Sequence, residues 1–188
     1  GNSRHALKQE RDCIRSEWIQ EDILKNRVAY FGVFVALAFI FSYIETLLPV
    51  PIGIPGVKLG LANLVIVIAL YKMGTKFSLP LTVARVILAG FMFGSMFSML
   101  YSLAGALVSF AAMVFLKSRD GFSVMGVSIV GGVFHNIGQL IVAMFVVETA
   151  RLLYYGPILL ISGVCTGFLI GIVSKEVLKR LPDFGIQK

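Results

Sequence analysis

The stretch SVMGVSIVGGVFHNIGQLIVAMFVV, residues 123–147, decides the fold class of this chain. It contains no charged side chain. An α-helix rises about 1.5 Å per residue, so this stretch is long enough to cross the roughly 30 Å hydrocarbon core of a bilayer. It therefore predicts a membrane-spanning helix.

Further apolar runs lie on both sides of this stretch. They cover residues 28–48, 59–71, 78–93, 95–116 and 154–173. The runs at 59–71 and 78–93 are short for a span, which favours a tilted or broken helix or partial re-entry. We expect an all-α, polytopic membrane protein with about six transmembrane helices over residues 28–180. A cytoplasmic segment, residues 1–27, precedes this domain, and a cytoplasmic tail, residues 181–188, follows it.

Composition agrees with this fold class. The chain has 188 residues, of which 57% are hydrophobic and 14% are charged, and its mean hydropathy is +0.88. Soluble domains carry about 25% charged residues. The net charge of +7 does not indicate nucleic-acid binding, because the basic residues lie between apolar runs instead of on one soluble face. The two cysteines, Cys13 and Cys165, lie in different settings and predict neither a disulfide framework nor a metal site.

Basic residues lie mostly at one side of the predicted spans, and this bias predicts the orientation. With both termini in the cytoplasm, fourteen Lys and Arg residues are inside, against Lys58 and Arg151 outside. The inside residues are Arg4, Lys8, Arg11, Arg15, Lys25, Arg27, Lys72, Lys76, Lys117, Arg119, Lys175, Lys179, Arg180 and Lys188. The sequence thus predicts a multi-pass protein of the cell membrane.

Residues 1–27 have two interpretations. They form either a surface helix with Ile14, Trp18 and Ile23 on one side or a plain solvated tail. They contain no apolar core of a secretory signal. The opening Gly-Asn-Ser, which lacks a Met, is consistent with a remnant left by expression cloning.

Arg85 is the most informative polar residue of the predicted spans. An Arg at the centre of a membrane helix costs about 2.5 to 3.5 kcal/mol on insertion scales, so it needs a partner or a wet cavity. Either a structural salt bridge or a place in a binding site would explain it.

The fifth predicted helix has one face of small and hydrogen-bonding residues. That face contains Ser128, Gly131, Gly132, His135, Asn136, Gly138 and Gln139. Its polar groups are suited to a ligand and equally to hydrogen bonds between helices.

Three polar residues lie near the predicted outer mouth: Glu45, Lys58 and Asn63. For Lys58 alone, anchoring at the interface is the favoured explanation. Together with Arg85, these residues favour an acidic or zwitterionic ligand.

Small residues repeat every four positions on two other helices. Gly163, Gly167 and Gly171 form a double GxxxG, and Gly32 and Ala36 have the same spacing. Such faces let helices approach closely, within the chain or with a partner. Ser95, Ser98, Ser102, Gly105 and Ser109 form a similar stripe beside Tyr101.

Several chemistries lack their motifs in this sequence. There is no GxxxxGK[ST] loop for ATP, no HExxH and no GxSxG. The aspartates Asp12, Asp22, Asp120 and Asp183 are isolated, so no acidic pair is available to hold Mg²⁺ on a diphosphate. The sequence therefore predicts no catalytic site, no metal and no cofactor.

The chain resembles the Gx transporter family, which also carries the name heptaprenyl diphosphate synthase component I. Six segments carry the resemblance. They are ETLLPVP at 45–51, GVKLGLAN at 56–63, the pair Ala84-Arg85, YSLAG at 101–105, VSIVGGVFHNIGQ at 127–139 and the pair Thr166-Gly167. The match covers about residues 28–180.

That family is similar to the substrate-binding S components of energy-coupling factor transporters. The resemblance implies an outward-facing pocket, gated by the loop after the first helix. It also implies that Ala29, Gly32 and Ala36 dock a transmembrane coupling subunit, which works with two separate ATPases. We expect the chain to bind a small molecule, vitamin-like or quinone-related, for import. The candidate binding residues are Glu45, Lys58, Asn63, Arg85, Tyr101, His135, Asn136 and Gln139.

Two alternatives remain. One is a non-catalytic membrane subunit of an isoprenoid or quinone pathway, in which Lys58 and Arg85 would suit a lipid diphosphate. The other is a self-sufficient secondary transporter, although the two halves show no internal repeat and Glu45 is its one candidate proton carboxylate.

Overall fold

The computed structural model describes residues 2–47, 60–119 and 121–182, with side chains from residue 25 onward. Within these residues the chain is all-α, as predicted. The helices are α1 (Asn2–Leu47), α2 (Leu61–Lys72), α3 (Thr75–Phe93), α4 (Met96–Lys117), α5 (Val124–Val147) and α6 (Gly156–Arg180). A short 3₁₀ helix, Ala150–Tyr155, precedes α6. Five of the six α-helices are long and apolar enough to cross a membrane.

The remaining helix, α2, has only 12 residues, of which eight are buried and four are half-buried. At about 1.5 Å per residue it is roughly 18 Å long, too short to span a bilayer alone. It is apolar on every side, as expected for a helix enclosed by other helices. The expectation of a short second helix is therefore confirmed. The expectation of a short third helix is wrong, because α3 begins three residues before the apolar run, at Thr75, and reaches spanning length.

Glycines let α5 and α6 pack backbone against backbone. A Cβ atom added at Gly163 would lie 2.9 Å from the carbonyl oxygen of Gly132, and one at Gly167 would lie 2.6 Å from the Cα of Ile129. Gly171 meets Met125 in the same way. The double GxxxG of α6 is thus a contact face within the chain.

The fourth helix packs on α5 through the stripe of small residues seen in the sequence. Ser109 donates a hydrogen bond of 2.7 Å to the carbonyl oxygen of Gly131. A Cβ atom at Gly105 would lie 2.7 Å from the carbonyl oxygen of His135. The close approach of α4 and α5 holds the polar face of α5 inside the bundle.

Two lysines join the C-terminal ends of α2, α4 and α6. The Nζ atom of Lys72 donates to the carbonyl oxygen of Leu181 at 2.8 Å, and that of Lys117 donates to the carbonyl oxygen of Leu70. Carbonyls at a helix end have no partner in their own helix, so lysines there are stabilising. These three helix ends therefore lie at the same side of the bundle.

The chain divides into two compact units, residues 1–33 and residues 34–188. In the first unit, residues 2–33 are continuously helical. A surface helix over residues 1–27 stays a prediction. Ala29 and Gly32 are exposed, and a Cβ atom at Gly32 would meet no atom within 4 Å.

Candidate functional site

A cavity of about 160 Å³ lies in the second unit, and all six α-helices contribute to its wall. Five residues predicted to bind a ligand line it. They are Glu45, Asn63, Arg85, His135 and Asn136. These residues come from α1, α2, α3 and α5, so the fold brings together polar groups that are far apart in the sequence.

Arg85 lies in the middle of α3, between Thr82 and Val86, which are both buried. Its Nε atom is buried and makes no hydrogen bond to any residue that the structure describes. It also forms no direct ion pair with a carboxylate of those residues. An Arg inside a membrane bundle normally pairs with an acidic group or with backbone carbonyls. An anion in the cavity would supply what the described residues do not.

Glu45 lies on α1, and its carboxylate reaches the N-terminus of α2. The Oε1 atom accepts a hydrogen bond from the backbone N–H of Gly60. Gly60 precedes α2 in a left-handed conformation, with φ of 71°, and a Cβ atom there would lie 3.1 Å from Ile170. The negative charge of the carboxylate is also stabilised by the positive end of the α2 helix dipole. Glu45 thus has a structural bond as well as a place in the cavity wall.

Glu45 and Arg85 attract each other electrostatically without direct contact. Among the described residues neither charge has an ion-pair partner at contact distance. Two such charges at one cavity are suited to a ligand that has an anionic group for the guanidinium. The cavity can therefore hold and orient a small polar molecule.

The side chains of Asn136 and His135 contact different helices. The Nδ2 atom of Asn136 donates to the carbonyl oxygen of Leu159 at 2.7 Å, which links α5 to the start of α6. The polar face of α5 was expected to bind a ligand or to form hydrogen bonds between helices. Asn136 forms such a bond between helices. The ring of His135 lies beside Gly105, where a Cβ atom would approach Cε1 to 3.2 Å.

Three predicted binding residues are not among those that line this cavity. Tyr101 and Gln139 are half-buried on α4 and α5. The Cγ atom of Gln139 lies against Gly105, where an added Cβ atom would be 2.7 Å away. Lys58 and the Pro/Gly loop at 49–56 lie outside the described residues. Ligand binding by these three residues stays a prediction.

Hydroxyl groups of the cavity wall were not among the binding residues predicted from the sequence. These groups belong to Ser42, Thr46, Ser98, Ser102 and Thr166. Ser42, Thr46 and Thr166 donate their hydrogens to carbonyls of their own helices, which leaves oxygen lone pairs for a ligand. One pattern in the sequence could have indicated them. Ser42 and Thr46 are four residues apart on either side of Glu45, so they lie about one helical turn apart near that carboxylate.

The aromatic part of the wall also had no signal in the sequence. Phe93, near the end of α3, lines the cavity and contacts two rings of α1. The ring centroids lie 5.3 Å from Phe39 and 4.9 Å from Tyr43. Contacts between distant helices of this kind depend on the tertiary fold.

Comparison with known proteins gives one family. The family described as heptaprenyl diphosphate synthase component I matches residues 34–177. No curated protein and no solved structure matches significantly. The matched range contains all six α-helices or parts of them and every residue of the cavity wall. The chain therefore belongs to the heptaprenyl diphosphate synthase component I family.

Proposed function

We propose that this protein is the membrane-embedded substrate-binding subunit of an importer of the energy-coupling factor type. It binds one small molecule in the cavity and catalyses no reaction itself. The observation that carries the proposal is the guanidinium of Arg85, which faces a polar cavity without a partner among the described residues. A charge left in this state is costly inside a membrane protein, and a bound anion offsets that cost.

The second support is the small-residue face of α1, formed by Ala29, Gly32 and Ala36. All three are exposed. Intramolecular packing explains the glycines of α6, but it does not explain Gly32, whose missing Cβ would meet open space. Small residues let another helix approach closely in a bilayer. We assign this face to a transmembrane coupling subunit, which connects the protein to two ATPases.

The proposed orientation puts the C-terminal ends of α2, α4 and α6 in the cytoplasm. Lys72, Lys117 and Arg180 lie at these ends, in agreement with the positive-inside rule. The cavity then lies toward the outer half of the membrane, because Glu45 and Gly60 belong to the opposite helix ends. Both termini are cytoplasmic in this arrangement. Ligand capture therefore takes place from outside.

One alternative has a specific observation in its favour. The family name refers to heptaprenyl diphosphate synthase. A non-catalytic subunit of an isoprenoid pathway would present Arg85 to a lipid diphosphate. A soluble prenyl synthase would then be its partner instead of ATPases.

Purification from the native membrane in mild detergent, followed by mass spectrometry of the associated proteins, separates the two. We expect a membrane coupling subunit and two ATPases. Gly32→Leu should abolish their recovery, since a large side chain keeps a partner helix away. The matched control is Ile161→Ala, on a lipid-exposed position of α6. Recovery of a soluble prenyl synthase without ATPases, or metal-dependent turnover of prenyl diphosphates, contradicts the import function.

A further inference from the structure

The connection between α3 and α4 is short and apolar. It consists of Gly94 and Ser95, and no charged residue occurs between Arg85 and Lys117. Large apolar side chains beside it are strongly exposed, among them Phe91 at 78% and Met96 at 74%. Exposed apolar clusters of this kind mark contact with lipid or with another apolar surface.

The length of α3 places this connection near the outer side of the membrane. From Lys76 to Phe93 the helix rises about 26 Å, close to the roughly 30 Å of the hydrocarbon core. With Lys76 at the cytoplasmic interface, as proposed above, the connection lies at the level of the outer leaflet. Phe91 and Met96 then contact acyl chains.

The cavity extends to this lipid-facing hairpin. Gly90, Phe93, Gly94 and Ser98 all line it. Phe93 is 37% exposed, and Tyr43 of α1, which its ring contacts, is 43% exposed. Phe93 therefore belongs both to the cavity wall and to the surface of the bundle, where it contacts Tyr43 of α1.

This contact differs from the other helix contacts of the cavity. Glycines bring the backbones of α5 and α6 together at Gly163 and Gly167, which leaves no side chain to move aside. Near Phe93, in contrast, α1 and α3 meet through rings. A ring changes rotamer without displacing a helix. Side-chain motion at this contact would therefore widen the gap between α1 and α3 without moving a helix.

The size of the cavity limits what it encloses. Its 160 Å³ is close to the roughly 150 Å³ of an apolar cavity that holds benzene. It accommodates a head group or a single ring, so the remainder of a larger ligand must lie outside it. A ligand part that lies outside the cavity beside Phe93 would meet the apolar surface of the hairpin.

We propose that the ligand is an amphiphilic anion, which enters from the outer leaflet between α1 and α3, past Phe93. Its anionic head, a phosphate or a carboxylate, pairs with Arg85 inside the cavity, and its apolar part stays in the gap beside Phe93 and Tyr43. This inference rests on the proposed function of the cavity as a ligand site. It adds the route of entry and the chemical class of the ligand.

Thiol labelling in lipid nanodiscs tests the route. Ser102→Cys supplies a reporter in the cavity wall, in a protein that also has Cys13→Ser. The native Cys165 is exposed on α6 and does not line the cavity, so it serves as the internal reference. Phe93→Ala should raise the relative labelling rate by a lipid-soluble maleimide several-fold. Phe97→Ala, an exposed change on the same hairpin, should leave the rate unchanged.

A charged, membrane-impermeant methanethiosulfonate is the control reagent. We expect it to label the cavity thiol slowly, and at a rate that Phe93→Ala does not change. An increase caused by Phe93→Ala that is as large for the charged reagent as for the maleimide overturns the lateral route. An unchanged maleimide rate in Phe93→Ala overturns it as well.

Protection of the same thiol tests the ligand class. The probes are decyl phosphate and decanoate, each compared with its short counterpart, ethyl phosphate and acetate. At least one long-chain anion should slow labelling of the cavity thiol relative to Cys165, while its short counterpart should not. Arg85→Gln should remove that protection.

Two other outcomes overturn the inference and separate it from the proposed function. Equal protection by short and long anions means that ligands enter from water, which leaves the binding function intact. Absence of protection by all four probes means that the ligand is not an amphiphilic anion. The recovery of a small molecule with the purified protein then decides whether the cavity binds a ligand of another class.

Discussion

The carboxylate of Glu45 on α1 accepts a hydrogen bond from the backbone N–H of Gly60, directly before α2. In a capping box, a Glu inside the helix bonds the same N–H. Here the acceptor comes from a different helix, so the bond fixes α1 to the N-terminus of α2. One residue thereby connects the first span to the buried helix of the cavity wall.

Replacing Glu45 should affect stability according to whether an acceptor remains. Glu45→Gln keeps a carbonyl oxygen for Gly60, and we expect near-normal thermal stability in detergent. Glu45→Ala removes the acceptor and should cost about 1 kcal/mol, as the loss of a helix cap does. Glu176→Ala, which removes an exposed acidic residue of α6, is the control. Equal stability of Glu45→Ala and the wild type would show that this bond contributes nothing.

Arg85→Gln should separate binding from folding. Since the guanidinium has no hydrogen bond or ion pair among the described residues, its removal should leave the ligand-free protein as stable as the wild type or more stable. Ligand-dependent stabilisation should disappear. Thermal unfolding is followed with and without small molecules extracted from the host. It gives the stability of the ligand-free protein and the increase in stability that a ligand causes. A marked loss of stability without ligand would instead assign Arg85 a structural role.

Two glycines that look alike in sequence should respond differently to the same change. Gly167→Ala places a Cβ atom 2.6 Å from the Cα of Ile129, so it should push α5 and α6 apart and lower thermal stability. Gly32→Ala meets open space and should leave the stability of the isolated protein unchanged or slightly raised. Parallel thermal unfolding of the two variants is the measurement. A similar loss in both would contradict the assignment of Gly167 to internal packing.

Asn136 should matter for stability as well as for the cavity. Asn136→Leu removes the hydrogen bond to the carbonyl oxygen of Leu159, and hydrogen bonds between membrane helices contribute about 0.6 kcal/mol on average. We expect a small decrease in thermal stability, measured against Gln139→Leu, a change of similar volume that breaks no hydrogen bond found in the structure. A larger decrease in thermal stability in Gln139→Leu than in Asn136→Leu would contradict this prediction.

Hydropathy alone predicted most of the fold. Apolar runs gave the number of helices because backbone groups in lipid must bond within their own segment. The start of α3 was missed, since Thr75 and Lys76 are polar but still helical. The spacing of Gly163 and Gly167 predicted a contact face without its partner, because periodicity describes one helix and not its neighbour. The structure supplied the partner, α5.

The site was predictable in its charges but not in its walls. Arg85 and Glu45 stood out because charge in a membrane helix requires an explanation. Phe93 did not, because an aromatic residue in an apolar run is ordinary. Its position against Tyr43 follows from how α1 and α3 meet. Tyr101 and Gln139 share helix faces with small residues, yet they lie beside the cavity wall and not among its residues.

In the proposed function, Arg85 holds the ligand in the cavity. This role is tested by mass spectrometry of the small molecules that the wild type and Arg85→Gln retain when both are purified side by side from native membranes. Arg151→Gln, an exposed change before α6, is the matched control. We predict one anionic compound in the wild type and in Arg151→Gln, and none in Arg85→Gln. The same compound in equal amount in all three proteins, or no compound in any of them, would contradict the account.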